Sequence, residues 1–381
     1  MESLRLLLIS TPVGPLGSGL GGGVELTLRN IATELVRRGH QITIVGTKCS
    51  TAWGIPLIEI PGKLQTSALT QGRDTPTIIP PYSVLANFWE YGRQVQEKYD
   101  LIVNFAYDWL PFYLTPFFTT PIAHLVSMSS LSEAMDEIIG RVAIQFPGTI
   151  GVHSQAQAAT FSFANSCRCL ANGIDLSLYE FCESPQPWLA WVGRIAPEKG
   201  LEDAVVACQL AKIPLKIMGV IQDEDYWQKI QQIQQNKIPD FSKKSGISKS
   251  GISTNPLIQY EGFLSTTDLQ QRLRQCQGLL MTPHVVEAFG NVVIEALACG
   301  VPAIAYDRGG PSEIIEDGKT GWLVEPDSVS GLVEAIAKLD KIDRHACRHR
   351  AESEYSTTAM GDRVQMWFQD ILAKSNYSDT L

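Results

Sequence analysis

Short apolar runs alternate with segments of helical spacing along most of the chain. Runs at residues 4–10, 41–46, 101–104, 121–126, 149–152 and 169–171 lie between turn residues, which predicts buried strands. A second series follows at residues 188–192, 215–218, 257–260, 278–281 and 303–306. Amphipathic or apolar helices are expected between them. One covers about 24–38 and is closed by Gly39; one runs from a Ser154 cap to about 165; a Gln-rich one covers 222–237. Others cover the apolar stretch from Asn291 to Gly300, residues 328–339 and residues 364–372 with Trp367 and Phe368. Strand, loop, helix and strand in that order open a parallel doubly wound sheet, and the order starts afresh at 188. The chain is therefore α/β, with one domain at 1–175 and a second at 188–361. Residues 176–187, with Pro185 and Pro187, read as the linker. Residues 49–80 are turn-rich and poorly periodic. A tandem repeat of Lys-Ser-Gly-Ile-Ser at 244–253 is too polar to bury a core and receives no function.

The bulk numbers agree with two domains, since 381 residues exceed one ordinary core. Hydrophobic residues make up 44% and charged residues 19%, the balance of a globular protein. A formal net charge of −9 argues against a nucleic-acid partner, though a local pair of cations can still hold a phosphate. The eight cysteines are scattered without a Cys-x-x-Cys, which indicates packing thiols and a reducing, cytoplasmic setting. His345, Cys347 and His349 stand close together, but their basic flanks favour a solvated helix, and no metal site is expected. No apolar run reaches membrane-spanning length, and the first residues read as a strand. The dense apolar stretch 108–118 invites a peripheral membrane contact. It lacks basic residues, which favours a buried crossover.

Candidate chemistry concentrates in the second half. Residues 282–300 read T-P-H-V-V-E-A-F-G-N-V-V-I-E-A-L-A-C-G. A helix opening at Gly290 and Asn291 after a strand leaves its first N–H groups without intrahelical partners, and its dipole favours an anion there. Glu287 before the helix and Glu295 inside it can hold hydroxyls on either side, as a diphosphate with a sugar at each end requires. Upstream, Gly193-Arg194-Ile195-Ala196-Pro197-Glu198-Lys199-Gly200 places two cations after a strand and before a helix, suited to phosphate oxygens. Gly17-Ser18-Gly19-Leu20-Gly21-Gly22 is a literal G-x-G-x-x-G. Several residues separate it from the strand, and Gly46-Thr47-Lys48 stand where a ribose-binding acid would be, so a dinucleotide cofactor is not expected.

The Glu-x7-Glu pair, the Phe-Gly within it, the Ala-Leu-Ala-Cys-Gly-Val-Pro tail, Gly309-Gly310-Pro311-Ser312-Glu313 and Arg-x4-Lys-Gly together resemble the signatures of retaining glycosyltransferases of family 4. Asn172-Gly173-Ile174-Asp175 matches the turn at the exit of that family's first domain. The resemblance implies the GT-B fold, two Rossmann-like domains facing a central cleft, with a helix at 362–381 returning to the first. It implies that Arg194 and Lys199 neutralise the diphosphate of a nucleotide sugar and that Phe289, Gly290, Asn291 and Val292 meet it at the helix start. Gly22 and Gly23 would lie beside the same phosphates. Glu295 would take the ribose and Glu287 the transferred sugar. Gly262, Phe263 and Leu264 would hold the base, and His124 would act beside the sugar as a second catalytic group. The implied activity is metal-independent transfer, with retention, of a hexose to a glycan or lipid-linked saccharide acceptor in polysaccharide biosynthesis. UDP-glucose is the expected donor and serves as substrate, so no cofactor is expected. The setting is the cytoplasm or the inner face of its membrane. A non-catalytic sugar-nucleotide-binding or scaffold protein and a GT-B epimerase are the rival readings.

Overall fold

The computed structural model describes residues 3–18, 22–66, 73–235 and 257–378, so residues 19–21 of the glycine run and the tandem repeat at 244–253 lie outside the described residues. The chain divides into two units, one made of Met1–Ile174 with Glu354–Leu381 and the other of Asp175–Ser353.

The first unit holds a parallel seven-stranded sheet. Its strands are β1 (Arg5–Ile9), β2 (Gln41–Thr47), β3 (Leu57–Ile60), β4 (Leu101–Asn104), β5 (Ile122–Leu125), β6 (Ile150–Val152) and β7 (Cys167–Cys169). They lie in the order β3-β2-β1-β4-β5-β6-β7, so the winding reverses between β1 and β4. Nearly every residue of β1 and β4 is buried, as strands covered on both faces require. The helix Gly23–Arg37 follows β1, and the long last helix, Thr357–Ser378, packs beside it. Val364, Trp367, Phe368 and Ile371 enter the same core as Leu6, Leu28, Leu35 and Leu125. Burying each of these side chains contributes roughly 1.5–3 kcal/mol. Arg38 fixes the register between the two helices, reaching Glu34 at 2.8 Å and Asp362 at 2.7 Å.

The second unit holds a parallel six-stranded sheet. Its strands are β8 (Leu189–Val192), β9 (Leu215–Met218), β10 (Ile258–Gly262), β11 (Gly278–Met281), β12 (Ala303–Tyr306) and β13 (Gly321–Val324). The order is β10-β9-β8-β11-β12-β13, with the reversal between β8 and β11. Helices Leu201–Ala211 and Val329–Ile336 cover one face, joined by Tyr226, Trp227 and Ile230.

Several elements depart from the sequence pattern. Strand β3 lies in the stretch expected to be turns; only half-buried at the sheet edge, it lacks a strong apolar signature. Ser154 caps a helix, accepting from Gln157 N at 2.9 Å, yet the helix spans only Gln155–Ala158 because the chain then turns to bury Phe161 and Phe163. Strand β7 ends at Cys169, since Ala171 adopts a left-handed φ of 52° that no strand accommodates. In the stretch 108–118, Pro111 and Phe112 are buried while Tyr113 and Phe117 are exposed. Cys347 is fully buried and His345 stacks on Phe181, so the helix Arg344–Glu354 is only partly solvated. Among the described residues, no helix is long and apolar enough to cross a membrane.

Candidate functional site

In parallel α/β sheets, ligands bind beyond the C-terminal strand ends where the winding reverses. In the second unit that point lies between the ends of β8 and β11. Both sequence signatures begin there.

After β8, residues 193–200 run along the sheet edge. Ile195 N donates to Val220 O at 2.9 Å, and a 3-10 turn, Pro197–Lys199, leads to Gly200 and the helix Leu201–Ala211. This segment is clamped to the chain leaving β11. Thr282 Oγ1 donates to Gly200 O at 2.7 Å, and His284 N donates to Glu198 O at 3.0 Å. Gly200 has a left-handed φ of 62°, and a Cβ there would stand 1.9 Å from Thr282 O, so only glycine permits this approach. The clamp delivers Lys199 Nζ to Glu287 Oε2 at 2.5 Å. Both side chains remain about one-fifth exposed, at 22% and 19%. Arg194, from the same segment, has its Nη2 3.1 Å from Glu198 Oε1 and its Nη1 bonded to Gln222 Oε1.

The loop between β11 and the helix Asn291–Ala298 is held from below by the turn after β12. Gly310 N donates to Glu287 O at 2.8 Å, and Glu287 and Gly309 form a parallel bridge. A Cβ on Gly310 would lie 2.3 Å from Phe289 O, which explains the paired glycines at this distance from the Glu-x7-Glu pattern. The loop covers residues 282–289, so the helix does not start directly off the strand; Gly290 caps it with a φ of 103°. Phe289 and Gly290 are buried, whereas Asn291 and Val292 remain partly exposed at the helix start. Glu295 is buried one turn further on. Its Oε1 accepts from Tyr179 Oη at 2.9 Å, and desolvation pushes its pKa up to about 7. Along the same edge, β10 ends in a bulge at Gly262. Phe263 beyond it is 70% exposed and Leu264 half-buried.

Three residues near this edge present possible metal ligands. One ligand atom each from Asp203, His284 and Asp327 lies within 4.8 Å of the others. Both carboxylates already have partners: Arg308 Nη2 pairs with Asp327 Oδ2 at 2.7 Å, and Tyr306 Oη donates to the Asp203 Oδ2 that faces His284.

The remaining expected residues belong to the first unit. Gly22 caps the helix that Gly23 begins. Nothing lies within 4 Å of a Cβ built at Gly22, so its φ of 56°, and not lack of room, calls for glycine. His124 lies within β5 and is fully buried. Asn104 Nδ2 lies 3.1 Å from its Nδ1, Thr115 Oγ1 lies 2.9 Å from its Nε2, and Phe112 stacks on its ring. Burial lowers its pKa to about 3, so the ring is neutral near pH 7. Both ring nitrogens are thus engaged inside the unit, and the sequence offers no hint of this because its partners lie on other elements. Sequence reasoning also missed Tyr179, Gln222 and the pairing of Lys199 with Glu287 and of Arg194 with Glu198. The one signal available was the exit of β9 at Gly219, which places Gln222 on the same edge.

Residues 183–354 match the family described as glycosyl transferases group 1. An alpha-1,3/1,6-mannosyltransferase of Neurospora crassa is 29% identical over 126 residues, 30% of this chain and 26% of that protein. A glycogen synthase of Mycobacterium tuberculosis is 28% identical over 194 residues, 48% of this chain and 42% of that protein. The chain thus spans less than half the length of these curated relatives. The crystal structure of Anabaena HepE in complex with UDP and glucose superposes with a TM-score of 0.73 at 18% identity, covering 95% of this chain and 98% of that one. The fold of both units is that of GT-B glycosyltransferases.

Proposed function

We propose, from the match of residues 183–354 to the group 1 glycosyl transferases, that the chain transfers a hexose, with retention, from a nucleotide sugar to a saccharide acceptor. One observation carries the reading. Lys199 and Glu287, one from each signature, meet at the sheet's switch point, and Arg194 comes from the same turn after β8. Lys199 and Arg194 supply the positive charge that a departing diphosphate needs, which is the part a metal ion plays in other transferases. Glu287 accepts hydroxyls of the transferred sugar, and Glu295 those of the ribose. The backbone at Gly262 and Phe263, with Leu264, takes the base. Asn291 and Val292 meet the diphosphate at the helix start. His124 acts at most through its neighbours, since its own nitrogens are occupied.

The proposed step breaks the bond from the sugar's C1 to the diphosphate oxygen and forms a bond from C1 to an acceptor hydroxyl on the same face. The hydroxyl proton passes to the leaving phosphate. UDP-glucose is the proposed donor, in keeping with the UDP and glucose of the HepE complex. The nucleotide sugar is then a substrate and no separate cofactor takes part. A growing or lipid-linked glycan, met in the cytoplasm or at the inner face of its membrane, is the proposed acceptor.

The test pairs binding with turnover. Melting temperature is measured with UDP, GDP and ADP and their sugars, without added metal, and release of nucleoside diphosphate is then followed. A rise with one base, and turnover lost by about 10²-fold or more in Lys199→Ala and Glu287→Ala with unchanged circular dichroism, is expected. Binding without turnover across a panel of saccharide acceptors would favour a non-catalytic sugar-nucleotide protein. Wild-type turnover in either variant would remove these residues from the site.

A further inference from the structure

Glu295 and Tyr179 form a buried pair whose arrangement goes beyond what the diphosphate site requires. Among the described residues, Tyr179 is the one hydrogen-bond donor to the Glu295 side chain, and it occupies Oε1 alone. Glu295 has no cation as a salt-bridge partner among them. Tyr179 is itself buried and is held from behind. Arg348 Nη1 donates to the Tyr179 carbonyl at 2.8 Å and to the Ala298 carbonyl at 2.6 Å. One guanidinium therefore ties the segment carrying the tyrosine to the helix carrying the glutamate. The neighbouring titratable groups leave Glu295 without a compensating charge. Cys299 shares its helix and is pushed up to about 12, first by burial and then by Glu295. Arg348, Arg274 and Arg344 act on Cys299, and Asp175 acts on Tyr179.

We propose that Tyr179 is a positioning residue for nucleotide recognition: its hydroxyl fixes Glu295 through Oε1 and presents Oε2 to the ribose hydroxyls of the donor. This rests on the nucleotide-sugar reading and adds to it a tyrosine on which ribose recognition depends. A pH dependence follows. Burial raises the Glu295 carboxyl from its ordinary 4.5 to about 7, and the Tyr179 hydrogen bond pulls the other way. A protonated Glu295 is a poor acceptor, so the ribose hydroxyls add affinity above neutrality and lose that effect as the pH falls through about 7. Removing the tyrosine hydroxyl moves the change to higher pH.

Calorimetric titration of the full chain with UDP and 2′,3′-dideoxy-UDP, and with the matching GDP pair, between about pH 6 and about pH 9 tests this. The wild type should favour the ribonucleotide about tenfold at the alkaline end, the effect of one charge-assisted hydrogen bond, and by much less at the acid end. In Tyr179→Phe the midpoint should rise by about one unit, and the preference should return only in part at the highest pH, because Oε2 is no longer held toward the ribose. In Glu295→Gln the preference should not vary with pH. A Tyr179→Phe midpoint equal to the wild type's overturns the proposal. So does a flat wild-type profile, which decides the matter even if the variant folds poorly. Equal binding of the ribo and dideoxy forms sinks this assignment alone. Failure of every nucleotide to bind sinks the nucleotide-sugar reading and this proposal with it.

Discussion

Lys199 and Glu287 lie 88 positions apart and meet at 2.5 Å, so at the scale of single residues the site is made by the sheet edge and not by local sequence. The two signatures were legible because each places a charge beside a glycine turn at a strand exit. Which charge pairs with which was not legible, since Arg194 takes Glu198 and leaves Lys199 to Glu287. His124 shows the limit more plainly. Its strand was readable, but Asn104 and Thr115, which fill both nitrogens, come from other elements. Glu295 gives a prediction that needs no ligand. A carboxyl whose pKa rises on folding stabilises the native state below its unfolded pKa, and that stability is lost as the pH climbs through the folded value, here about 7. The loss is on the order of 3 kcal/mol for a shift of this size. Glu295→Gln keeps the acceptor for Tyr179 and removes the ionisation. It should match the wild type in urea unfolding near pH 4 and exceed it by about 2–3 kcal/mol near pH 8. A stability difference that does not change with pH would show that Glu295 is solvated or paired in the native state.

At the scale of elements, glycines set the distances between loops. Gly200 lets the turn after β8 lie on Thr282, and Gly310 lets the turn after β12 lie on Phe289. These contacts explain why the glycines accompany the charged residues in the sequence pattern. The apolar runs were legible as strands because both faces of each sheet are covered, whereas β3 at the edge lost that signal. The helix after Ser154 stopped early for a tertiary reason, the burial of Phe161 and Phe163. Gly310→Ala is the informative change at this scale. Its Cβ would meet the backbone of Phe289 at 2.3–2.4 Å, so the loop carrying Glu287 must move. We expect a loss of about 2–4 kcal/mol in stability, in the range for strained backbone and overpacking. Nucleotide affinity, measured well below the melting temperature, should fall with it. Retained affinity would mean that the loop position does not depend on this contact.

At the scale of the whole molecule, each unit buries a core of its own. The second unit's core runs from Leu189 to Leu339 without a residue from the first, and the last helix adds Val364, Trp367, Phe368 and Ile371 to the first unit's core. Two cores of this kind predict two thermal events that respond to different changes. Trp367 is nearly fully buried, and its indole N–H reaches Gly148 O at 2.7 Å. Trp367→Ala should cost about 3–5 kcal/mol and lower the transition of the first unit. A bound nucleoside diphosphate should instead raise the transition of the second unit, by about 2.7 kcal/mol at a hundred times its dissociation constant. Differential scanning calorimetry of the wild type and the variant, each with and without UDP, separates the two effects. If Trp367→Ala and UDP shift one common transition, the units unfold as a single cooperative block. The last helix then stabilises the nucleotide site as much as it stabilises the sheet it packs on.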